Sequence, residues 1–134
     1  MEISSKFERW LTSRNWTLHP HQRELLSYAA RPAQLLIAPT GAGKTLSGFL
    51  PSLLELEDGT HKGLHTLYVS PLKALAADIK RNLQTPIDEM DLPIRVEDRT
   101  GDTSNTQKKR QRAEPPHILL TTPESLALLI SYPD

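Results

Sequence analysis

The 134-residue sequence contains no cysteine, which excludes disulfides, thiolate metal sites and a cysteine nucleophile. It carries no charge excess. With 16 basic and 16 acidic residues in balance, overall charge argues neither for nor against a nucleic-acid partner, and any such case must rest on local patterns. No apolar run approaches the roughly 20 residues that a membrane helix needs. The opening stretch Met1–Trp10 is polar and mixed in charge, without the apolar core of a secretory signal. The cytoplasm is therefore the expected location, with no membrane partner. The five histidines (His19, His21, His61, His65 and His117) show no metal-ligand spacing, and there is no internal repeat or low-complexity tract.

What is present is one ordinary domain's worth of chain, punctuated by 11 prolines. Short helices are expected over Phe7–Leu11 and Gln22–Ala30, the second opened by Pro20. Gln34–Ala38 is a short continuous apolar run of the kind found in buried parallel strands. A Gly-rich turn follows, then a helix over Lys44–Glu57 with Leu46, Phe49, Leu50, Leu53 and Leu54 at helical spacing; its Pro51 predicts a kink or a split. Further strands are expected at Thr66–Ser70, Ile94–Glu97 and His117–Thr121. Helices are expected at Leu72–Leu83, at a short piece between Thr85 and Pro93, at Asn105–Ala113 and at Pro123–Ile130. This alternation predicts an α/β fold: an open parallel sheet with helices on both faces.

The strand–turn–helix unit around Ala38-Pro39-Thr40-Gly41-Ala42-Gly43-Lys44-Thr45 is built to hold phosphates. Successive backbone N–H groups form an anion nest, and the helix N-terminus adds its partial positive charge. Gly41 and Gly43 permit backbone angles and a close approach that a Cβ would block. Lys44 would reach the β- and γ-phosphates and Thr45 would place its hydroxyl on Mg²⁺, so ATP with Mg²⁺ is the expected ligand. The nucleotide contacts are then Thr40, Gly41, Ala42, Gly43, Lys44 and Thr45. A phosphate loop is common to kinases, GTPases, transporters and motors, so it does not by itself name a function.

The remaining segments do discriminate. Ala38–Thr45 resembles motif I of superfamily 2 DEAD/DEAH-box helicases. Pro20-His21-Gln22 resembles their Q motif, in which a glutamine amide, able both to donate and to accept, meets the adenine edge. Trp16 stands where an aromatic residue packs near that adenine, although a packing role in the core or at the surface fits it equally. Val69-Ser70-Pro71-Leu72-Lys73-Ala74-Leu75-Ala76-Ala77-Asp78 resembles motif Ia. Arg99-Thr100-Gly101-Asp102-Thr103-Ser104 resembles the Gly-containing segment before motif Ib, and Thr121-Thr122-Pro123-Glu124-Ser125-Leu126 resembles motif Ib itself. The wording is most similar to the large helicase-related (Lhr) group, in particular its ligase-associated DNA-repair DEXH-box branch, and the resemblance runs from about Phe7 to the last residue.

The resemblance implies a RecA-like phosphate-loop fold, with residues 1–134 forming the N-terminal portion of a first motor domain. It implies nucleic-acid contacts at Pro71, Leu72 and Lys73, at Thr100, Gly101, Asp102 and Thr103, and at Thr121, Thr122, Pro123 and Glu124. Each of these segments follows an expected strand, where open α/β sheets place their ligands. Hydroxyls, small residues and N–H groups suit phosphate oxygens, and none of the segments offers an aromatic platform or base-reading chemistry. The expected partner is single-stranded or tailed DNA, with RNA as the alternative, bound with strong salt dependence. Thr122 and Ser125 could equally be helix caps, and Thr100–Ser104 only a turn. The basic run Lys108–Arg112 reads better as a solvated helix face than as a nucleic-acid contact.

The acidic pair that would orient water for hydrolysis is expected beyond Asp134, as are a second motor domain and its arginine finger. Asp88-Glu89 is an adjacent acidic pair, but one bounded by prolines with no strand before it. ATP would therefore be gripped without useful turnover. A sheet incomplete on the C-terminal side would leave the Gln34–Ala38 strand without its neighbours, and so predicts a marginal, self-associating chain. The alternatives are a non-hydrolysing module that binds ATP or single-stranded nucleic acid and, less favoured, a small kinase lacking an acceptor site. The missing remainder of the helicase is itself an expected partner.

Overall fold

A computed structural model of the chain describes residues 2–27, 31–37 and 44–131, with the Lys44 and Thr45 side chains left out. Helix α1 (Ser5–Ser13) starts where Ser4 accepts a hydrogen bond from the Phe7 N–H at 3.4 Å, and it buries Phe7, Trp10 and Leu11 on one face. Helix α2 (Pro20–Ser27) packs against α3 (Lys44–Leu56). Strand β1 (Thr66–Val69), helix α4 (Lys73–Glu89), strand β2 (Val96–Arg99), helix α5 (Asn105–Ala113), strand β3 (Ile118–Thr121) and helix α6 (Pro123–Ile130) complete the order.

The three strands form one parallel sheet in the order β1-β3-β2. In register, Ile118 lies between Thr66 and Val96, and Thr121 between Val69 and Arg99. Alternation along the strands then assigns the faces. Ile118, Leu120 and Val96 join the main core with Phe49 and Leu53 of α3 and Ile79 and Leu83 of α4. On that same face Tyr68 meets the Phe49 ring at 5.4 Å, and Asp98 accepts from Lys80 of α4. The opposite face carries Glu97, which α5 reaches through Arg110 at 2.6 Å and Gln111 at 3.3 Å. Helices thus cover both faces, as the strand–helix alternation predicts. The second face is the less covered: Leu67 and Val69 are each 42% exposed.

His117 fixes the start of β3. Its carbonyl accepts from the His65 and Thr66 N–H groups at 2.8 and 2.9 Å, and its N–H donates to the Arg95 carbonyl at 3.1 Å. Its ring Nδ1 accepts from the Arg95 N–H at 2.9 Å. One residue therefore ties both outer strands to the middle one. Burial, and then the neighbouring Arg95 charge, push the His117 pKa below its ordinary value, so the ring stays neutral and keeps its acceptor nitrogen.

Several expectations are corrected. Gln34–Ile37, expected as part of a buried strand, is not in a strand, and Leu35 and Ile37 are 85% and 86% exposed. Strand structure exists only through a partner's hydrogen bonds. Here a cleft of about 520 Å³, lined by Leu36, Thr66 and Tyr68 among others, lies beside the segment. Ala38, the last residue of that expected strand, lies outside the described residues, as do Tyr28–Ala30 at the end of the expected second helix. Pro51 does not split α3, which runs unbroken as an α-helix. The two helical pieces expected between Leu72 and Pro93 are one helix, α4, with Pro86 inside it. Pro86 lies on the buried stripe Ala76, Ile79, Leu83, Pro86, Ile87, and packing of that stripe outweighs the roughly 3 kcal/mol that an interior proline costs. Strand β2 begins at Val96 rather than Ile94 because the Arg95 N–H is given to the His117 ring.

Two outcomes follow from this packing. His117 has a depressed folded pKa, so below the unfolded value of about 6.5 the unfolded chain takes up a proton that the native ring refuses, and stability falls as pH falls. Denaturation midpoints should drop between pH 7.5 and 5.5, and drop less in His117→Gln; an equal drop in both would exclude this ring as the cause. Leu67 and Val69 are partly exposed on the outer strand β1, which among the described residues pairs with β3 alone, and such an open strand edge pairs with other chains. Sedimentation should show mass rising with concentration, and Leu67→Lys should move the population towards monomer. A parent chain that stays monomeric throughout would contradict this.

Candidate nucleotide and nucleic-acid site

The first half of the site is a cleft of about 700 Å³ between the end of α1, the start of α2 and α3, lined by Arg14, Trp16, Gln22 and Leu46 among others. Local rules build it. Helix α1 ends with Asn15 in the left-handed region at φ 55°, a conformation asparagine tolerates. The Trp16 N–H donates to the Leu11 carbonyl at 2.9 Å and the Asn15 N–H to the Thr12 carbonyl at 3.0 Å, the pair of bonds that defines a Schellman stop. The stop folds Trp16 back against Trp10, ring edge to face at 5.6 Å.

Helix α2 then opens with Pro20 in its first turn, and the Gln22 Oε1 accepts from the His19 N–H at 2.7 Å. That contact is one half of a capping box, and Gln22 is 4% exposed. Gln22 thus serves the helix start. Its packing brings it beside Leu46, two residues after Lys44 and one after Thr45 in the first turn of α3. The 13-residue α3 carries partial positive charge at that end. The rest of the expected phosphate loop, with Thr40, Gly41, Ala42 and Gly43, lies outside the described residues.

The second half lies at the C-terminal ends of the strands. The Ser70 N–H donates to the Thr121 carbonyl at 2.9 Å, and the Thr121 hydroxyl donates to the Arg99 carbonyl at 2.7 Å. These bonds draw the three loops together. After β1, Pro71, Leu72 and Lys73 are exposed; after β2, Gly101 and Asp102; after β3, Pro123 and Glu124. The Lys73 ammonium reaches the Asp102 carboxylate at 3.3 Å, joining the first two loops. The hydroxyls are mostly turned inward. Thr100 accepts from the Asp102 N–H at 3.2 Å, Thr103 accepts from the Thr100 N–H at 3.0 Å, and Thr122 caps α6 by accepting from the Ser125 N–H at 3.4 Å. The capping and turn roles are real, and they shape loops whose outward groups are Lys73, Asp102, Glu124 and the loop backbone.

Other residues find structural partners. Arg110, within the basic run, pairs with Glu97, and Gln111 is buried. Burial pushes the Glu97 carboxyl up, but hydrogen bonds from Arg110 and Gln111 outweigh it and hold the group below its ordinary value. Glu57-Asp58 and Glu97-Asp98 are further adjacent acidic pairs; Glu57 accepts from Ser4 at 2.9 Å and Asp98 pairs with Lys80 at 3.4 Å. Asp88-Glu89 sits on the last turn of α4, not in a loop. Asp88 accepts from Gln84 at 2.8 Å, and hydrogen bonds first from Arg14 and then from Trp10 hold the Glu89 carboxyl below the usual range. Arg14 was also missed as a cleft residue, although it stands four after Trp10, a spacing that places the two on one helix face.

A parallel sheet with helices on both faces, loops gathered at its C-terminal edge and a cleft at the start of α3 is the arrangement of α/β nucleotide-binding folds. Within that class, the DEAD/DEAH box helicase family model matches residues 19–133. The chain belongs to the DEAD/DEAH box helicase family. It is 41% identical over 147 aligned positions to the ATP-dependent helicase Lhr-Core protein 2 of Thermococcus barophilus, a match covering 98% of this chain and 17% of that protein. Among solved structures it is similar to Mycobacterium smegmatis helicase Lhr bound to ssDNA and AMP-PNP, with a TM-score of 0.84 and 40% identity over 97% of this chain and 18% of that one. It is also similar to the DUF1998 helicase MrfA bound to DNA and AMPPNP, with a TM-score of 0.80 and 32% identity over 92% of this chain and 17% of that one. The fold is thus the RecA-like helicase fold in part, and the chain spans under a fifth of the length of these relatives. No described helix is long and apolar enough to cross a membrane.

Proposed function

We propose that residues 1–134 form the ATP-binding and nucleic-acid-binding front portion of the first motor domain of an Lhr-type, ATP-dependent DNA helicase. The carrying observation is the delivery of Leu72–Lys73, Gly101–Asp102 and Pro123–Glu124 to one edge of a parallel sheet, by strands held in register through β3. Such an edge meets a nucleic-acid strand along its phosphates, through backbone N–H groups and Lys73, and reads little sequence. Gln22 would take the adenine edge, Lys44 the β- and γ-phosphates and Thr45 the Mg²⁺. A buried glutamine amide beside the N-terminal turn of a 13-residue helix fits that ligand. Bound Mg²⁺ would supply charge neutralisation on the phosphates.

Each of the three adjacent acidic pairs among the described residues has a member engaged elsewhere: Glu57 accepts from Ser4 at 2.9 Å, Glu89 pairs with Arg14 and Glu97 with Arg110. We therefore infer that these residues grip ATP without hydrolysing it at a useful rate, and that the rest of a longer helicase supplies the catalytic acids. A role on single-stranded or tailed DNA in repair rests on the resemblance of the Pro71–Asp78, Arg99–Ser104 and Thr121–Leu126 wording to repair helicases.

A thermal-shift titration with MgATP tests the nucleotide reading. At about a hundredfold over its Kd a ligand stabilises the native state by roughly 2.7 kcal/mol, a shift of several degrees. The shift should appear in the parent chain and vanish in Lys44→Ala; a shift that survives the substitution would place the nucleotide elsewhere. For the nucleic-acid edge, Lys73→Ala should weaken single-stranded DNA binding alike across sequences and lower the salt slope by about 1. Asp102→Asn, which removes the counter-charge, should strengthen binding. An unchanged slope in Lys73→Ala would move the strand off this edge.

A further inference from the structure

Glu89 and Arg14 lie 75 positions apart in sequence and meet through two hydrogen bonds, one of them from Arg14 Nε to Glu89 Oε2 at 2.9 Å and the other from the Arg14 terminal nitrogen to Oε1. Glu89 also accepts from the Trp10 indole N–H at 2.6 Å. Trp10 is 7% exposed, so its N–H needs a partner, and Glu89 supplies one. The guanidinium so held lies 5.0 Å from the centre of the Trp16 ring and 5.7 Å from that of Trp10. Trp16 itself is 49% exposed, and it lines the same cleft as Gln22. A flat cation packed on an exposed indole is a rigid, planar apolar wall with polar edges. A surface Arg–Glu pair does little for stability. A two-point carboxylate grip on a guanidinium that faces a cleft does a different job, which is to set the plane of the group it holds.

We propose that Glu89 is a positioning residue for the base of the bound nucleotide: by gripping Trp10 and Arg14 it locks the Arg14–Trp16 pair into a flat wall against which a purine stacks while Gln22 meets its edge. The proposal rests on the reading of this cleft as the nucleotide's base subsite, and it assigns Arg14 and Trp16 as specificity determinants and Glu89 as the residue that orients them. Without Glu89 the long Arg14 side chain regains its rotamers, and ordering it again on binding costs affinity. The effect is confined to the base, because the phosphates are held by a different segment.

The chain has two tryptophans, Trp10 and Trp16, and both belong to this cluster, so intrinsic fluorescence reports the cleft directly. The experiment titrates the chain with MgATP and, separately, with magnesium tripolyphosphate, following fluorescence and a calorimetric affinity, in the parent, Glu89→Ala, Glu89→Gln and Arg14→Lys. ATP should quench the parent's emission and tripolyphosphate should leave it unchanged. Glu89→Ala and Arg14→Lys should each weaken ATP about tenfold, the order of a lost cation–π contact in a desolvated setting, with tripolyphosphate affinity unchanged. Glu89→Gln, which keeps an acceptor for Trp10 and Arg14, should recover most of the loss. Equal losses for the two ligands would make Glu89 merely structural and overturn the proposal, as would an unaltered ATP affinity in Arg14→Lys, which decides the matter even where Glu89→Ala fails to fold. A parent that binds ATP and tripolyphosphate alike, with no quench, would instead overturn the base-subsite reading beneath it.

Discussion

The double-sided pairing of β3 is the constraint on which the rest of the structure depends. Its four residues are bonded on one side to β1 and on the other to β2, and all four are buried. A strand buried on both faces and both edges leaves no water to satisfy its backbone, so every amide must find its neighbour in one register. His117 sets that register before the strand begins, and the Thr121 hydroxyl closes it at the far end by bonding the Arg99 carbonyl at 2.7 Å. Because all three strands are parallel and aligned, their following loops emerge together. The proposed nucleic-acid edge is thus a consequence of strand register rather than of any contact between the loops; the exposed Lys73–Asp102 pair contributes little by comparison.

The same physics decides what could be read from the sequence. Elements whose evidence is local were legible. Helices α5 and α6 occur at Asn105–Ala113 and Pro123–Ile130 as expected, because Ser104 and Thr122 are caps whose side chains accept from the third residue onwards. Elements that depend on distant partners were not. Gln34–Ile37 has a strand's composition, but composition does not supply the neighbouring ladder. Pro86 looked like a helix break because its cost is local, while the buried stripe that offsets the cost shows only once the core is assembled. The β2 start was missed by two residues because a histidine 22 positions away takes the Arg95 amide. In the candidate site, Gln22 was singled out through its spacing from the expected phosphate loop. Glu89 could not be, since its meaning comes from a residue 75 positions earlier.

Charge gives a second case of partners deciding meaning. A balanced chain with a Lys108–Arg112 run invites a nucleic-acid assignment, yet Arg110 and Gln111 are spent on Glu97, fastening α5 to the sheet. That tether faces away from the α3 and α4 side of the sheet. With its central cation neutralised, the run offers less field than its composition suggests.

The inward turn of the hydroxyls fits the proposal that this edge holds a nucleic-acid strand without reading it. Thr100, Thr103 and Thr122 each bond a backbone N–H inside their own loop, which fixes the loop's curvature. A loop so fixed presents the remaining N–H groups and the α6 N-terminus at set spacing, and such groups suit phosphate oxygens, which repeat along every strand whatever its bases. Lys73 adds a point charge that is mobile on its stem and tolerant of phosphate position. Side-chain hydroxyls facing outward would have added adaptable donors and acceptors capable of meeting base edges. Burying them removes that option and leaves a surface matched to the sugar-phosphate repeat, the one feature common to every sequence that a translocating motor would pass along.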